Sequence, residues 1–500
     1  MVGTDDMQGE SQRLLKPRHG EQGGSCDATH QKTAGEQKGL TRTTYFTFVL
    51  TFLIEMCNVM LAVPLLALLE QAVCQDHYAD LTPTLVHSGG DPCKAPPIQG
   101  ELALLRGWQG FLNGLSALML ALPVGYFAEH HSHRATMAYV LVGILAAAVW
   151  SIIVGSVAVI PNRLLWLTSV FLLCGGGNPV AEMLLAVVIV NSTSEADRTR
   201  ALYYMYSAFI ATELIGPQLS KWCLNHSIWL AFAIGLASLV SCVPVLAMMP
   251  ESKTPHEEPE AQPAETQVTW KDAWREVYKR VSSVRLLTES RNIRFAIPLF
   301  LVGTFRNVSL NALLQYVSAR FEWALSDTNW LITQVAIVNL ALFFVILPTV
   351  LYAVNRWLQP GHQVLNLRIA QLSFFILATG SACISFSRTS GQIIASLAFY
   401  SLGFGARATL LSLATFWFDK QVRARLYSAI LLLELLGRLS GEAILQSILS
   451  ASFSLSRPWM GIPFLFCTGC YSVAVLSSFG IQLKAVADEN EDEERLEPSQ

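Results

Sequence analysis

Tyr206-Ser-Ala-Phe-Ile-Ala-Thr-Glu-Leu-Ile-Gly216 and Tyr427-Ser-Ala-Ile-Leu-Leu-Leu-Glu-Leu-Leu-Gly437 are two copies of one sentence, set 221 positions apart. Each is an apolar stretch with a glutamate at the same place and a glycine three residues on. Two shorter words repeat in the same order at nearly the same offset. Leu122-Pro-Val-Gly-Tyr126 is echoed by Leu347-Pro-Thr-Val-Leu-Tyr352, 225 positions later. Gly175-Gly-Gly177 is echoed by Gly403-Phe-Gly405, 228 positions later. One offset across three words marks an internal duplication.

The composition says where such a duplication belongs. Of 500 residues, 52% are hydrophobic and 14% charged, against about 25% charged in an average soluble domain. The apolar residues fall in runs of about 20, the length an α-helix needs to cross a bilayer. Twelve runs can be read, at 45–69, 107–128, 135–157, 164–190, 201–222 and 228–249, then at 295–318, 328–353, 367–387, 391–417, 426–449 and 458–483. The fold expected is therefore an all-α membrane protein of twelve transmembrane helices in two six-helix bundles. An even number of spans separates the copies, so the bundles share one topology and are related by an axis along the membrane normal. Transporters that rock two bundles about a central site are built this way.

Five segments follow. Residues 1–44 are read as a polar cytoplasmic tail without a cleaved signal peptide, and 45–249 as the N-terminal bundle. Residues 250–293 form a cytoplasmic linker, 294–483 the C-terminal bundle and 484–500 an acidic cytoplasmic tail. Within the linker, Trp270, Trp274, Val277, Val281 and Val284 recur at helical spacing beside Lys271, Arg275, Lys279, Arg280 and Arg285. That pattern predicts a basic amphipathic helix lying in the membrane interface. Lys and Arg concentrate in the tails and in the loops near 129–134, 191–200, 250–294, 354–368 and 418–425, which places both termini in the cytoplasm. The long 70–105 loop then faces the other side, where disulfides persist. Cys74 and Cys93 lie in it, either bridged or as two free thiols. Asn225-His-Ser227 is a glycosylation sequon on the same side, close to the membrane, whereas Asn191-Ser-Thr193 falls on the cytoplasmic side.

The segment between the second and third spans, Gly125-Tyr-Phe-Ala-Glu129-His130-His131-Ser132-His133-Arg134, resembles the loop signature of the major facilitator superfamily, G-x-x-x-D-[RK]-x-G-[RK]-[RK]. Gly125, Glu129 and Arg134 fit; His130, His133 and Ser132 depart from it. Ile98-Gln-Gly-Glu-Leu-Ala-Leu-Leu-Arg-Gly-Trp108, Gly175-Gly-Gly177, Leu313-Leu-Gln-Tyr-Val-Ser318 and Pro250-Glu-Ser252 are similar to fungal members distantly related to proton-coupled folate-type carriers. The resemblance implies export of a secondary metabolite or toxin by alternating access, with Gly125, Glu129 and Arg134 in a gating loop. Gly216-Pro217 carries only part of the Gly-Pro word of the efflux branch.

A charge at membrane depth costs several kcal/mol and is a functional candidate by default. Glu55, Glu213, Arg306, Arg407 and Arg438 fall roughly 15–25 Å deep, counting 1.5 Å per residue from the nearest span end. Glu182 and Glu434 fall roughly 12–14 Å from the inside. The resemblance puts helices one, four, seven and ten around a central cavity, and these carry Glu55, Glu182, Arg306 and Arg407. Acids stand in the first half and arginines in the second. A carboxylate in apolar surroundings can take and release a proton near neutral pH, and Glu55 is the first choice for that role. Arg306 and Arg407 stay charged and suit an anionic or hydrogen-bonding substrate. Glu434 and Arg438 are also spaced to pair along one helix, and Arg306 to pair with Glu55 across the halves.

Three features carry no chemistry in this reading. Gly175-Gly-Gly177 lacks the lysine of a phosphate loop and serves close helix contact. His130, His131 and His133 lack the further ligands of a metal site, and Cys467-Thr-Gly-Cys470 is apolar packing. No cofactor, metal or nucleic acid is expected, and no nucleophile–base pair marks an enzyme. The partners expected are a small-molecule substrate, protons and the lipid bilayer. The leading function is proton-coupled export from the plasma membrane or an internal one such as the vacuole. The alternatives are proton-coupled import of a nutrient or organic anion, and a non-transporting membrane sensor.

Overall fold

The computed structural model describes residues 25–78, 92–130, 132–192, 195–249, 291–357, 361–415, 417 and 420–482. The amphipathic segment of the linker, the acidic tail, residues 1–24 and His131 lie outside them. Twelve helical rods are present among the described residues. In the first half they are α1 (Ser25–Tyr78), α2 (Pro96–His130) and α3 (His133–Ser156). There follow α4 (Asn162–Leu167, Thr168–Leu172 and Asn178–Ser192), α5 (Glu195–His226) and α6 (Ile228–Val240 and Cys242–Met248). In the second half α7 comprises Arg291–Gly303 and Phe305–Phe321, and α8 comprises Leu325–Ala341, a π-turn at Leu342–Ile346 and Leu347–Trp357. Then come α9 (His362–Phe386), α10 (Ser390–Ser401, Leu402–Gly405 and Ala406–Thr415), α11 (Lys420–Phe453) and α12 (Ile462–Ser478). Eight stretches within these rods are long and apolar enough to cross a membrane alone. Rods α5 and α11 depart from that pattern because each bears acidic and basic residues along its length.

Several boundaries differ from the hydropathy reading. Rod α1 starts at Ser25, well inside the segment read as a tail, because Ala, Gln, Glu and Lys continue a helix without being apolar. The 70–105 loop is shorter than expected: α1 runs on to Tyr78 and α2 begins at Pro96. The added turns bury Val73, Ile98, Leu102 and Leu105 in one small core. Packing, rather than membrane depth, holds them helical. Likewise α7 starts at Arg291, inside the span assigned to the linker.

Each half has its own apolar core. Leu50, Ile54, Met60, Val140, Val180 and Ala231 belong to the first, and Ala296, Phe305, Phe374, Tyr400, Leu413 and Tyr471 to the second. The halves meet where α2 packs on α11 and α5 packs on α8. The α2–α11 seam is made by glycines. Gly100, Gly107, Gly110 and Gly114 face Ser450, Gln446, Glu442 and Leu439 in turn. A Cβ on Gly107 would lie 2.6 Å from Cβ of Gln446, so the backbones approach closely only because α2 has no side chains there. The contact runs along the end of the molecule that carries Cys74 and Cys93. The described hydrogen bonds that link the halves lie on that side. Gln315 Nε2 donates to the Gln99 carbonyl (2.8 Å), Gln218 Nε2 to Thr333 Oγ1 (2.8 Å), and Lys94 Nζ to Ser318 Oγ (2.5 Å). Lys221 and Asp327 pair at 2.8 Å.

Gly175-Gly-Gly177 does more than allow contact. It breaks α4 at mid-span, with φ of +84° at Gly176 and +74° at Gly177. A Cβ at Gly175 would stand 2.5 Å from Cα of Val140. The break starts a fresh helix at Asn178. Gly176→Val is expected to lower stability by about 1–3 kcal/mol, from strain at positive φ and from collision with Val180. Thermal unfolding in detergent checks this, and an unchanged midpoint would contradict it.

Candidate functional site

Two cavities lie between the halves, beyond the glycine seam as seen from the disulfide end. The smaller, about 190 Å³, is lined chiefly by the second half. Glu182 of α4, Arg306 of α7, Arg407 of α10, and Glu434 and Arg438 of α11 all line it, with Phe300, Phe374 and Phe404 between them. The larger, about 350 Å³, is lined by Asn58, Gln109, Asn113 and Asn178 from the first half and by Arg438 and Glu442 from α11. Pro179, Leu435 and Arg438 line both. Arg438 therefore stands where the two spaces meet.

The charges in the smaller cavity are not equivalent. Arg407 makes a bidentate pair with Glu434, Nε to Oε1 at 2.8 Å and Nη2 to Oε2 at 2.7 Å. The expected pairing of Glu434 with Arg438 along one helix does not occur. Glu434 turns to α10, where a guanidinium offers two parallel donors, a geometry that favours Arg–carboxylate pairs. Arg306 does not pair with Glu55 either. It lies over the Phe404 ring, 4.1 Å from the centroid, and its Nε donates to Asn307 Oδ1 at 3.1 Å. Its carboxylate neighbour is Glu213 of α5, within electrostatic reach and without a direct bridge. Arg438 likewise has Glu442, Glu182 and Glu55 within electrostatic reach and no salt bridge among the described residues.

Glu55 and Glu213 do not line the smaller cavity. Glu55 is half-buried on α1 and accepts from Asn58 Nδ2 at 3.4 Å. Asn58 Oδ1 in turn accepts from Asn178 Nδ2, at the helix start made by the α4 break. A polar chain thus runs from Glu55 to the wall of the larger cavity. The hydrogen bond between the two asparagines joins α1 to α4 just after the glycine break.

The gating-loop residues divide. Gly125 sits against Met183 of α4. Arg134 Nη2 donates to the Met249 carbonyl, tying the start of α3 to the end of α6. The Glu129 side chain lies outside the described residues. At the other end, Cys74 Sγ is bonded to Cys93 Sγ with the Cα atoms 5.3 Å apart. Asn225 is exposed at the same end, in the last turn of α5.

Two groups of residues were missed by sequence reading. Glu70, Lys94 and Gln99 form a buried cluster beside the disulfide, with Lys94 Nζ 2.8 Å from Glu70 Oε1. Hydropathy had put them in an extramembrane loop. Arg106 and Glu442 face each other across the α2–α11 seam, and Asn311 Nδ2 donates to Glu442 Oε1 at 3.3 Å. A signal for Glu442 exists in the sequence: Glu434, Arg438 and Glu442 recur every fourth residue and so share one helix face.

Two bundles of like topology, a seam at one end and a charged cavity beyond it make the architecture of a two-bundle membrane transporter. Residues 48–442 match the model of the Major Facilitator Superfamily, and the chain belongs to that family. It is an integral membrane transporter rather than an enzyme. A curated relative, "MFS efflux pump atnC" from Emericella nidulans, is 24% identical over 86% of this chain and 85% of its own length. The human organic anion transporter MFSD10 superposes with a TM-score of 0.57 at 15% identity, over 89% of this chain and 99% of that one. A D-xylose-proton symporter superposes with a TM-score of 0.58 at 15% identity, over 88% and 99%.

The Arg407–Glu434 pair is expected to shape the cavity as a unit. R407E and E434R should each impair substrate binding, and the double variant should recover most of it, as a reversed pair restores the two parallel hydrogen bonds. Binding measured calorimetrically on the purified variants checks this; no recovery in the double variant would show that each residue acts alone.

Proposed function

We propose that this transporter exports a small organic molecule carrying an anionic group, driven by a proton gradient. The carrying observation is the smaller cavity, where three arginines stand against two glutamates. Arg407 is engaged with Glu434, which leaves Arg306 and Arg438 to meet a ligand. Phe300, Phe374 and Phe404 offer an apolar body a surface beside them. A guanidinium over an aromatic ring keeps its donors directed outward, ready for a planar carboxylate. Efflux is favoured over import by the curated relative named as an efflux pump. In this reading both termini are cytoplasmic, by the distribution of Lys and Arg. The disulfide end then faces outward, where a disulfide persists. The plasma membrane is the expected location, and Asn225 is an available glycan acceptor at the outer surface. Glu55 is the carrier of the coupling proton, reached through Asn58 and Asn178.

Proteoliposomes with an imposed pH gradient test the reading. Wild-type protein should move an amphipathic organic anion against its gradient, in the direction opposite to proton flow. Movement with the protons would establish import, and indifference to the gradient would end the coupling claim. Glu55→Gln should abolish gradient-driven flux and preserve exchange of labelled for unlabelled substrate; driven flux at the wild-type rate would remove Glu55 from the pathway. Arg306→Met should weaken binding of the anion about tenfold, or about 1.4 kcal/mol. A neutral analogue lacking the acid should lose far less.

A further inference from the structure

Gln109 and Asn113 of α2 line the larger cavity and have no task in the reading above. They stand four positions apart, so they share one helix face, about 6 Å apart along its axis. Each is followed by a glycine, Gly110 and Gly114, that lies against α11, so bare backbone separates the two amides from that helix. Gln109 is half-buried and makes no hydrogen bond among the described residues, yet neither end of its amide is sealed off from the cavity. Asn113 is held at one end only: Thr168 Oγ1 lies 3.1 Å from its Oδ1, and its Nδ2 has no partner among the described residues. The other two amides of this wall, Asn58 and Asn178, are bonded to each other. Gln109 and Asn113 therefore carry the unused hydrogen-bonding capacity of this space.

The charges around the space say what kind of group it takes. One arginine and one glutamate, Arg438 and Glu442, line it, so their charges offset. The smaller cavity has arginine in excess. A carboxamide both donates and accepts, so it pairs with a neutral amide or hydroxyl and offers a second carboxylate no charge. The space is about 350 Å³, with Leu61, Ile144 and Leu172 as apolar wall beside the amides. A cavity of about 150 Å³ already admits benzene. There is room for a ring together with a polar group.

We infer that Gln109 and Asn113 form a second subsite, which binds a neutral amide or hydroxyl on the body of the substrate whose acid the smaller cavity takes. This rests on the anion reading above and narrows the substrate class to N-acylated or hydroxylated organic acids. The two cavities share Pro179, Leu435 and Arg438, so one molecule can occupy both. Its acid meets Arg306 and Arg438, its body passes Leu435, and its neutral polar group ends on α2. A plain hydrocarbon acid of the same length displaces water from both carboxamides and gives them nothing in return. A site built to hydrogen-bond its ligand rejects such an analogue for that reason. Gln109 and Asn113 are specificity-determining residues in this scheme, and the arginines supply the attraction for the acid.

Three matched probes test the subsite by calorimetry on the purified protein. N-benzoyl-ε-aminocaproic acid carries both groups, ω-phenyloctanoic acid replaces the amide by two methylenes, and N-hexylbenzamide replaces the acid by a methyl. N-benzoylglycine and N-benzoyl-β-alanine, each beside its hydrocarbon counterpart, set the spacing between amide and acid. Wild-type protein should bind the best amide acid about tenfold more tightly than its hydrocarbon counterpart. Gln109→Met and Asn113→Leu should each reduce that preference by about threefold, and together abolish it. Both variants should bind the hydrocarbon acid at the wild-type level, which also shows that they are folded. Equal affinity of wild-type protein for the two acids would overturn the subsite, and so would a preference that survives in the double variant. If the two acids bind equally and Arg306→Met weakens both, the subsite is wrong and the anion reading stands. If N-hexylbenzamide binds as tightly as the amide acid and loses affinity in Gln109→Met, the subsite stands and the anion reading is wrong. If no probe binds, both are wrong.

Discussion

Charged groups inside a bilayer must be matched from within the protein, because hydrocarbon offers them nothing. The structure depends on how that constraint is met within each half and between the two. Inside the second half, Arg407 and Glu434 are held by two direct hydrogen bonds. Across the halves, matching is looser: Arg306 with Glu213, Arg106 with Glu442, Glu182 with Arg438. A bidentate pair fixes both partners in one geometry. Attraction at longer range, rather than direct ion pairing, joins these charges between the halves.

The glycines of α2 and the break in α4 serve the same economy of motion. Gly100, Gly107, Gly110 and Gly114 let two backbones approach with few interlocked side chains, so the seam can separate without repacking a core. Each bundle keeps its own core of large side chains, so it can move as a body. The α4 break places a polar helix start at the cavity wall. That is the position where non-helical backbone is tolerated in a membrane protein, because it borders a space that water can enter.

Much of this was legible in the chain. The repeated Glu213 and Glu434 words, at one offset and in spans of matching order, imply two like bundles whatever their detailed packing. Glu55, Glu182, Glu213, Arg306, Arg407, Glu434 and Arg438 were singled out by depth, and the structure gathers five of the seven around one cavity, leaving Glu55 and Glu213 outside it. Partners were less legible. Glu434 could reach Arg438 on its own helix or Arg407 on a neighbour, and only the crossing of α10 and α11 decides between them. Glu70, Lys94 and Arg106 escaped because hydropathy ends a span at the first charges it meets. In the structure α1 and α2 continue as helices past those charges, carried by packing against each other.

The sequence by itself determined the two-bundle helical class, its duplication and which charges fall within apolar runs. These are one-dimensional properties: runs of apolar residues, a constant offset, a count of residues from a span end. Which charge faces which, where α4 unwinds, and that two stretches far apart in sequence meet as Gln99 and Gln315 were decided only by the tertiary structure. Helix rotation and crossing set those distances, and a residue's place along the chain does not specify the angle at which its helix is turned toward its neighbours.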